Sequence, residues 1–397
     1  MRVLLSDGSG LTARQTAWLL RRNGHEVGVL TSDPWALTRF TSAVRRLHRV
    51  PPYGDDPLTW VEAALTIARD YDVLLPTQEQ AAVLALVRDR IGAKTAVPDF
   101  AALRRVQDKV SAERLLVELG LPRPPGYIAH TPAQLRAGAF LKAPIGTASQ
   151  GVHYVRHAHE LPAVAATLVA QRAFELGGVL VQERVEGTLL MVQAVFADGR
   201  LLALHANTRD RTGSGGGAVH KTSVSAEPLV STVERIGAAL RWHGALSLDA
   251  IDAADGPVVI DVNPRLVEPG NAALAGLDLV DLLCAVARGD APHGGLRSRP
   301  GVRTHQLVLG LLSAAAERGR RGVAGELCAA VGRLGRYTGS NEELGPLRRD
   351  VKAAALLAGL SGALLVAPGL QRRLVAGSVA SYALTPAGWR KLTLKST

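Results

Sequence analysis

Two aspartates, an asparagine and an arginine in SLDAIDAADGPVVIDVNPR, residues 247–265, have the types and spacing that chemistry on phosphate needs. Two β-prone runs flank residues 253–257, where Asp255, Gly256 and Pro257 supply turn chemistry, so the segment reads as a hairpin. With those five residues as the loop, Asp252 pairs with Val258 and Asp249 falls opposite Asp261. Side chains alternate along a strand, so Asn263 shares the face of Asp261. Like charges opposed across a strand pair repel, and a divalent cation removes the conflict. Magnesium takes a few carboxylate or amide oxygens together with phosphate oxygens and water. Asp249, Asp261 and Asn263 are therefore its expected ligands, with manganese as a substitute ion. Arg265, at the end of the same strand, offers a planar fork to a phosphoryl or carboxylate oxygen. For a lone Asp-x-Asn, a solvated hairpin face would be the plainer reading; the facing Asp249 and the following Pro-Arg argue against it.

Asp261-Val262-Asn263-Pro264-Arg265 resembles the magnesium-holding strand of the ATP-grasp superfamily, which takes in carboxylate-amine ligases and carbamoyl phosphate synthetase-like enzymes. The resemblance covers about residues 1–290 in segment order. It implies two lysines that neutralise a triphosphate from different elements: Lys109, after Asp108 and before a helix over residues 110–119, and Lys142 in FLKAPIGTASQGVHYV. Backbone amides of the loop that runs from Gly146 through Ser149 to Gly151 would cap the phosphate oxygens. A lysine beside an aspartate is ordinarily a surface pair, whereas Lys142 sits in an apolar strand that leads straight into the glycine loop.

Residues 181–187, VQERVEG, resemble the hinge strand that holds adenine through main-chain groups, with Gln182, Glu183 and Val185 in that role. The acid that many relatives carry beyond the glycine is replaced here by Thr188 and Leu189, which leaves Glu186 as the substitute for the ribose hydroxyls. Arg209, Arg211 and the loop TGSGGG, residues 212–217, resemble the mobile loop beside the acceptor substrate. Glycines let the backbone approach a tetrahedral acyl-phosphate centre, and the arginines would offset its charge. His220 and Lys221 follow, either touching substrate or forming a solvated polar turn. The implied activity is ATP-dependent ligation through an acyl phosphate, with an amine, or less often a thiol, displacing phosphate. Carboxylation is disfavoured because no biotin-carrier segment is found in the chain.

Positioning these groups takes an α/β scaffold that becomes α+β in the nucleotide-clamping part. The resemblance implies an ATP-grasp fold with a Rossmann-like N-terminal domain (1–97), a helical linker with the small clamping subdomain (98–186), a core with the metal site (187–295) and a helical extension (296–397). Apolar runs at 3–5, 27–30 and 73–76 read as strands, with helices at 12–23 and 59–71 between them, the order of a parallel sheet. A helix is expected over 103–119, a strand at 140–142, a helix over 160–174 and a strand at 179–182. Further strands are expected at 189–196 and 201–206. Everything after about His293 reads as helical.

A chain of 397 residues with 47% hydrophobic and 20% charged residues can bury a large core. Its net charge of +11 favours anionic partners. Aromatics make up 4% and nowhere interleave with basic residues, which argues against nucleic acid. Small-molecule carboxylates and amines are the expected partners, and a homodimer is compatible with the sequence. Cys284 and Cys328 fit neither a zinc spacing nor a disulfide framework, so a reducing cytoplasm is expected. Neither a secretion signal nor a bilayer-length apolar stretch is found; residues 353–368 are too short and broken by glycines. The basic, apolar C-terminal region would allow peripheral contact with anionic lipid, and a non-catalytic membrane-surface or nucleotide-binding module is one competing class. A nicotinamide-dependent oxidoreductase is another: Gly8-Ser9-Gly10-Leu11-Thr12-Ala13 matches the permissive dinucleotide fingerprint, with Asp33 about 20 residues on.

Overall fold

The first apolar runs pair side by side in a computed structural model that describes residues 1–147, 150–213, 216–345 and 347–395. Strands β1 (Arg2–Leu5), β2 (Glu26–Thr31), β3 (Val44–Arg49) and β4 (Val73–Leu75) form a parallel sheet in the order β3-β2-β1-β4. Helices α1 (Leu11–Arg22) and α2 (Pro57–Ala68) cross between strands, and α3 (Ala81–Leu86) follows β4. Strand β3, VRRLHR, is absent from the sequence expectation because its residues are mostly charged and exposed. Such a basic edge blunts pairing with other chains.

The single helix expected over 103–119 is two helices, α4 (Phe100–Gln107) and α5 (Lys109–Glu118). The break lies at Asp108, whose extended backbone (φ −103, ψ 147) lets its carboxylate accept the Ser111 amide at 2.7 Å and cap α5. Next comes an antiparallel sheet of β5 (Gly126–Ala129), β6 (Ala139–Lys142), β7 (Val152–Val155) and, after α6 (Leu161–Ala170), β8 (Val179–Glu183), in the order β5-β8-β6-β7.

A larger sheet is built from β9 (Thr188–Ala197), β10 (Arg200–Thr212), β11 (Ala218–Val224) and, beyond α7 (Val230–Leu240), β12 (Gly244–Ala253) and β13 (Gly256–Asn263). Helices α8 (Gly270–Leu274) and α9 (Leu279–Arg288) lead to two short strands, β14 (Leu296–Arg297) and β15 (Arg303–His305). Then come α10 (Leu307–Val331), β16 (Asn341–Glu342), α11 (Val351–Val366), α12 (Leu370–Ala380) and α13 (Pro386–Lys395). The sheet runs β13-β12-β9-β10-β11-β15-β16, with β14 also on β10. The C-terminal region is thus largely helical, but the wholly helical expectation is corrected: β14, β15 and β16 extend the core sheet, and runs of two or three residues carry no readable period. Helix α10 kinks at Gly319, whose φ of 58° only glycine adopts readily.

One apolar cluster joins the N-terminal part, the large sheet and α13, while the small sheet and the α10–α11 pair bury clusters of their own. Leu4 and Trp60 of the N-terminal part, Phe196 and Leu246 of the large sheet, and Trp389 of α13 belong to the same buried cluster. Burying each such side chain stabilises by about 1.5–3 kcal/mol, so the chain's end is tied to its beginning. Thr385 Oγ1, just before α13, donates to the Asp55 carboxylate at 2.7 Å. Among the described residues no helix is long and apolar enough to cross a membrane.

Candidate active site

Asp249 does face Asp261, by a route other than the expected one. The β12–β13 ladder pairs Asp252 with Pro257 and Ala253 with Gly256, so the turn is tighter than the five-residue loop. A regular ladder from that turn would set Ile260 against Asp249. A bulge between Asp249 and Ala250 absorbs the extra residue and restores the Asp249–Asp261 pair. The displaced Ile260 carbonyl accepts the Lys142 ammonium at 2.8 Å.

Lys142 leaves β6 almost fully buried and also donates to Gln182 Oε1 at 2.7 Å. Burial pulls its ammonium from 10.5 down to about 8, against the opposing pull of Asp261. Lys109, turned inward by the helix break at Asp108, lies 3.2 and 3.3 Å from the two Asp261 oxygens. With its side chain only 12% exposed, it is no surface pair. Burial, then the facing Asp261, pushes the Asp249 carboxyl up to about 6.

These features test whether a divalent cation suits the site. Two carboxylates oppose each other in register, and the Lys109 ammonium stands beside one of them where positive charge is needed. Among the described residues no three His, Cys, Asp or Glu side chains form a metal cage. The donor set is two carboxylates plus the Asn263 amide, which suits an ion that completes its shell with phosphate oxygens and water.

Lys109, Lys142, Asp249, Asp261, Asn263 and Arg265 all line one cavity of about 1090 Å³. Gly146 and residues 182–186 border it too. Gly146 is dictated by packing: a Cβ there would lie 2.0 Å from the Gln150 carbonyl as the loop doubles back. Gly151 adopts φ 76° and closes the loop through its carbonyl, which accepts the Ala143 amide at 2.8 Å. Ser149 lies outside the described residues. The Glu183 side chain turns outward to Arg136 at 2.8 Å while its amide donates to the Pro125 carbonyl at 2.8 Å, and the exposed Glu186 pairs with Arg184 at 2.9 Å. Val185 is half-buried between them.

The two arginines of the glycine-loop region part company. Arg209 lines the cavity, donates to the Gly216 carbonyl at 2.7 Å, and its Nε is buried with no partner among the described residues. Arg211 is not in the cavity wall; its guanidinium binds Glu326 of α10, which also accepts the Tyr337 hydroxyl at 2.6 Å. The expected placement of Arg211 beside the reacting centre is corrected. Irregularities in the β10–β11 pairing between Arg209 and Thr212 break the two-residue alternation that would have kept both on one face.

His220 and Lys221 lie in β11, and the solvated-turn alternative for them is excluded. Lys221 is fully buried and bonds Glu268 at 2.6 Å and Glu343 at 2.8 Å. Burial lowers its pKa, but the two glutamates outweigh burial and hold it above the ordinary lysine range. Glu268 borders the cavity, so this network braces the wall rather than touching the lysine pair.

One buried group was missed outright. Glu79 Oε1 accepts Arg265 Nε and Nη2 at 3.2 and 3.1 Å, and its Oε2 accepts Gln107 at 2.7 Å. It follows β4 in PTQEQ, and a polar cluster at the carboxyl end of a parallel strand was the signal available. The Ser9–Gly10 turn reaches the same cavity. Space at Gly8 is already taken by the chain's own Thr38 hydroxyl, 2.4 Å from where a Cβ would sit.

A family model for the ATP-grasp domain matches residues 106–269. The chain carries an ATP-grasp domain. The matched span contains both lysines, both aspartates, Asn263 and Arg265, and about three quarters of the chain shares the fold of solved ATP-grasp structures. The biotin carboxylase domain of a Hydrogenobacter thermophilus 2-oxoglutarate carboxylase, solved with MgADP and bicarbonate, superposes with a TM-score of 0.61 at 16% identity, covering 76% of this chain and 73% of that one. N5-carboxyaminoimidazole ribonucleotide synthetase from Thermus thermophilus gives 0.57 at 19%, covering 76% and 81%. An L-amino acid ligase from Bacillus licheniformis gives 0.57 at 15%, covering 72% and 74%. At these identities the likeness is one of fold. No curated protein sequence matches the chain.

Proposed function

We propose that the protein is an ATP-dependent carboxylate-amine ligase acting through an acyl phosphate, with release of ADP and phosphate. The observation that carries this reading is the convergence of two lysines, two facing aspartates, Asn263 and Arg265 on one cavity inside the ATP-grasp domain. ATP would lie with its adenine against the main chain of Gln182, Glu183 and Val185 and its phosphates toward Lys109, Lys142 and the Gly146–Gly151 loop. Asp249, Asp261 and Asn263 would hold magnesium, or manganese in its place, which when bound neutralises phosphate charge.

The substrate carboxylate attacks the γ-phosphorus in line; the bond to the bridging oxygen breaks and ADP leaves. An amine then adds to the acyl phosphate carbonyl, loses a proton and expels inorganic phosphate, leaving an amide. Phosphoryl transfer relies chiefly on positioning and charge. Arg265 is suited to this because Glu79 fixes its guanidinium from the N-terminal sheet. Arg209 brings a second fork, whose Nε has no partner among the described residues.

A screen of carboxylates and amines for ATP-dependent phosphate release tests the reading. Substrate-dependent ADP release should fall by on the order of 100-fold or more in Asp261→Asn, as when one charge-stabilising group is removed. An unchanged rate would sink it.

A further inference from the structure

The cavity continues well past the lysines and carboxylates, and its character changes there. Leu309 and Leu312 of α10, Leu356 and Leu360 of α11, and Leu374 and Val379 of α12 form its far wall. Trp35 and Phe40 stand at the same end, rings stacked 6.5 Å apart and 9° from parallel. Trp35 is 75% exposed, in a chain of only five tryptophans, at the rim of an apolar chamber. Such a surface gains by being covered.

The chamber is built into the fold. Asp350 caps α11 and forms a wholly buried pair with Arg14 of α1 at 2.9 Å, while also accepting the Ser42 amide at 3.0 Å. The start of α11 is thereby fastened to α1 and to the segment before β3. A cavity of about 1090 Å³ stands at the upper end of the roughly 300–1,000 Å³ of small-ligand pockets.

We propose that the carboxylate substrate is a hydrophobic acid, with an aliphatic or aryl-alkyl body that lies against α10, α11 and α12 while its carboxylate reaches Arg209 and Arg265. This rests on the ligase reading only in naming the carboxylate as the group activated. The charge at the polar end favours an acid over an amine there: Arg209 Nε is buried without a partner among the described residues, whereas Glu268 is already taken up by Lys221 and Gln306.

The test is direct binding of straight-chain acids from acetate to decanoate, by calorimetry, with magnesium and a non-hydrolysable ATP analogue present and then absent. Affinity should rise about fourfold per added methylene until the chamber is full, and octylamine should bind at least tenfold more weakly than octanoate. Leu360→Trp should shorten the preferred chain and Leu360→Ala lengthen it, with nucleotide affinity and thermal unfolding unchanged in at least one of the pair. Binding that ignores chain length, equal binding of octylamine and octanoate, or unaltered length preference in a folded Leu360 variant would overturn the proposal. Failure of the protein to bind the nucleotide analogue would instead overturn the ligase reading, while length-dependent acid binding without nucleotide would still support the chamber.

Discussion

Replacing Lys142 with methionine separates the two consequences of burying an ammonium group. Its pKa falls from 10.5 to about 8, chiefly through burial, so keeping it charged costs roughly 3 kcal/mol. Methionine removes that cost but strands Gln182 Oε1 and the Ile260 carbonyl, now bonded at 2.7 and 2.8 Å. Each stranded acceptor costs about 1–3 kcal/mol. The two effects oppose each other at similar size, so stability at pH 7 should change by no more than about 3 kcal/mol. Nucleotide affinity has no such compensation: a lost charge-assisted bond is worth about 1.5–3 kcal/mol, or roughly 10- to 150-fold in Kd. The pH dependence supplies a sign. Because the folded value lies below the unfolded one, the unfolded chain binds the extra proton between about 8 and 10.5, and this lysine's contribution makes wild-type stability rise across that window. The methionine variant should lack that rise. Urea titrations at pH 7 and 10, beside calorimetric titration with ATP and magnesium, measure all three. A stability loss above about 4 kcal/mol with intact nucleotide affinity would refute the reasoning.

Burial, ahead of nearby positive charge, lowers His205 to about 3 and His220 and His305 to about 4, so all three rings stay neutral when folded. Their contribution is full above about pH 6.5 and is lost as pH falls toward 4, each by about 1.4 kcal/mol per pH unit; His205→Gln should remove one ring's share in urea titrations between pH 6.5 and 5. Lys221→Met should cost about 3–5 kcal/mol by leaving Glu268 and Glu343 buried without their cation, and a loss under about 1 kcal/mol would contradict the network. Asp108→Ala removes the α5 cap, about 1 kcal/mol. Because Lys109 is the next residue, ATP affinity should fall as well, a change that calorimetry reads.

Some of the site is plain in the sequence and some is not, for identifiable reasons. Counting outward from a five-residue loop sets Asp249 against Asp261, a pair the structure reaches by a different turn. The tight turn and the bulge at Ile260 that jointly produce this register leave no mark in the hydrophobic pattern. Asp-Lys at 108–109 reads as a helix start, yet only the structure turns Lys109 inward onto Asp261. The resemblance groups Arg211 with Arg209 beside the glycine loop, and a local irregularity in the β10–β11 pairing separates them. Glu79 with Arg265 and Lys221 with Glu343 join residues 186 and 122 positions apart, a distance over which one sequence carries no register. Strand β3 hides behind its charges, and β14 to β16 are too short to show a period.

Manganese–ATP binding, followed by electron paramagnetic resonance in the wild type, Asp249→Asn and Asp261→Asn, tests the site most directly. Asp249→Asn should leave the hairpin folded, since it removes repulsion between facing carboxylates, and thermal unfolding checks Asp261→Asn, which also takes the carboxylate from Lys109. The site as described predicts that both variants bind the manganese–nucleotide complex at least tenfold more weakly and with an altered manganese signal. Equal affinity and an unchanged signal in all three proteins would contradict it.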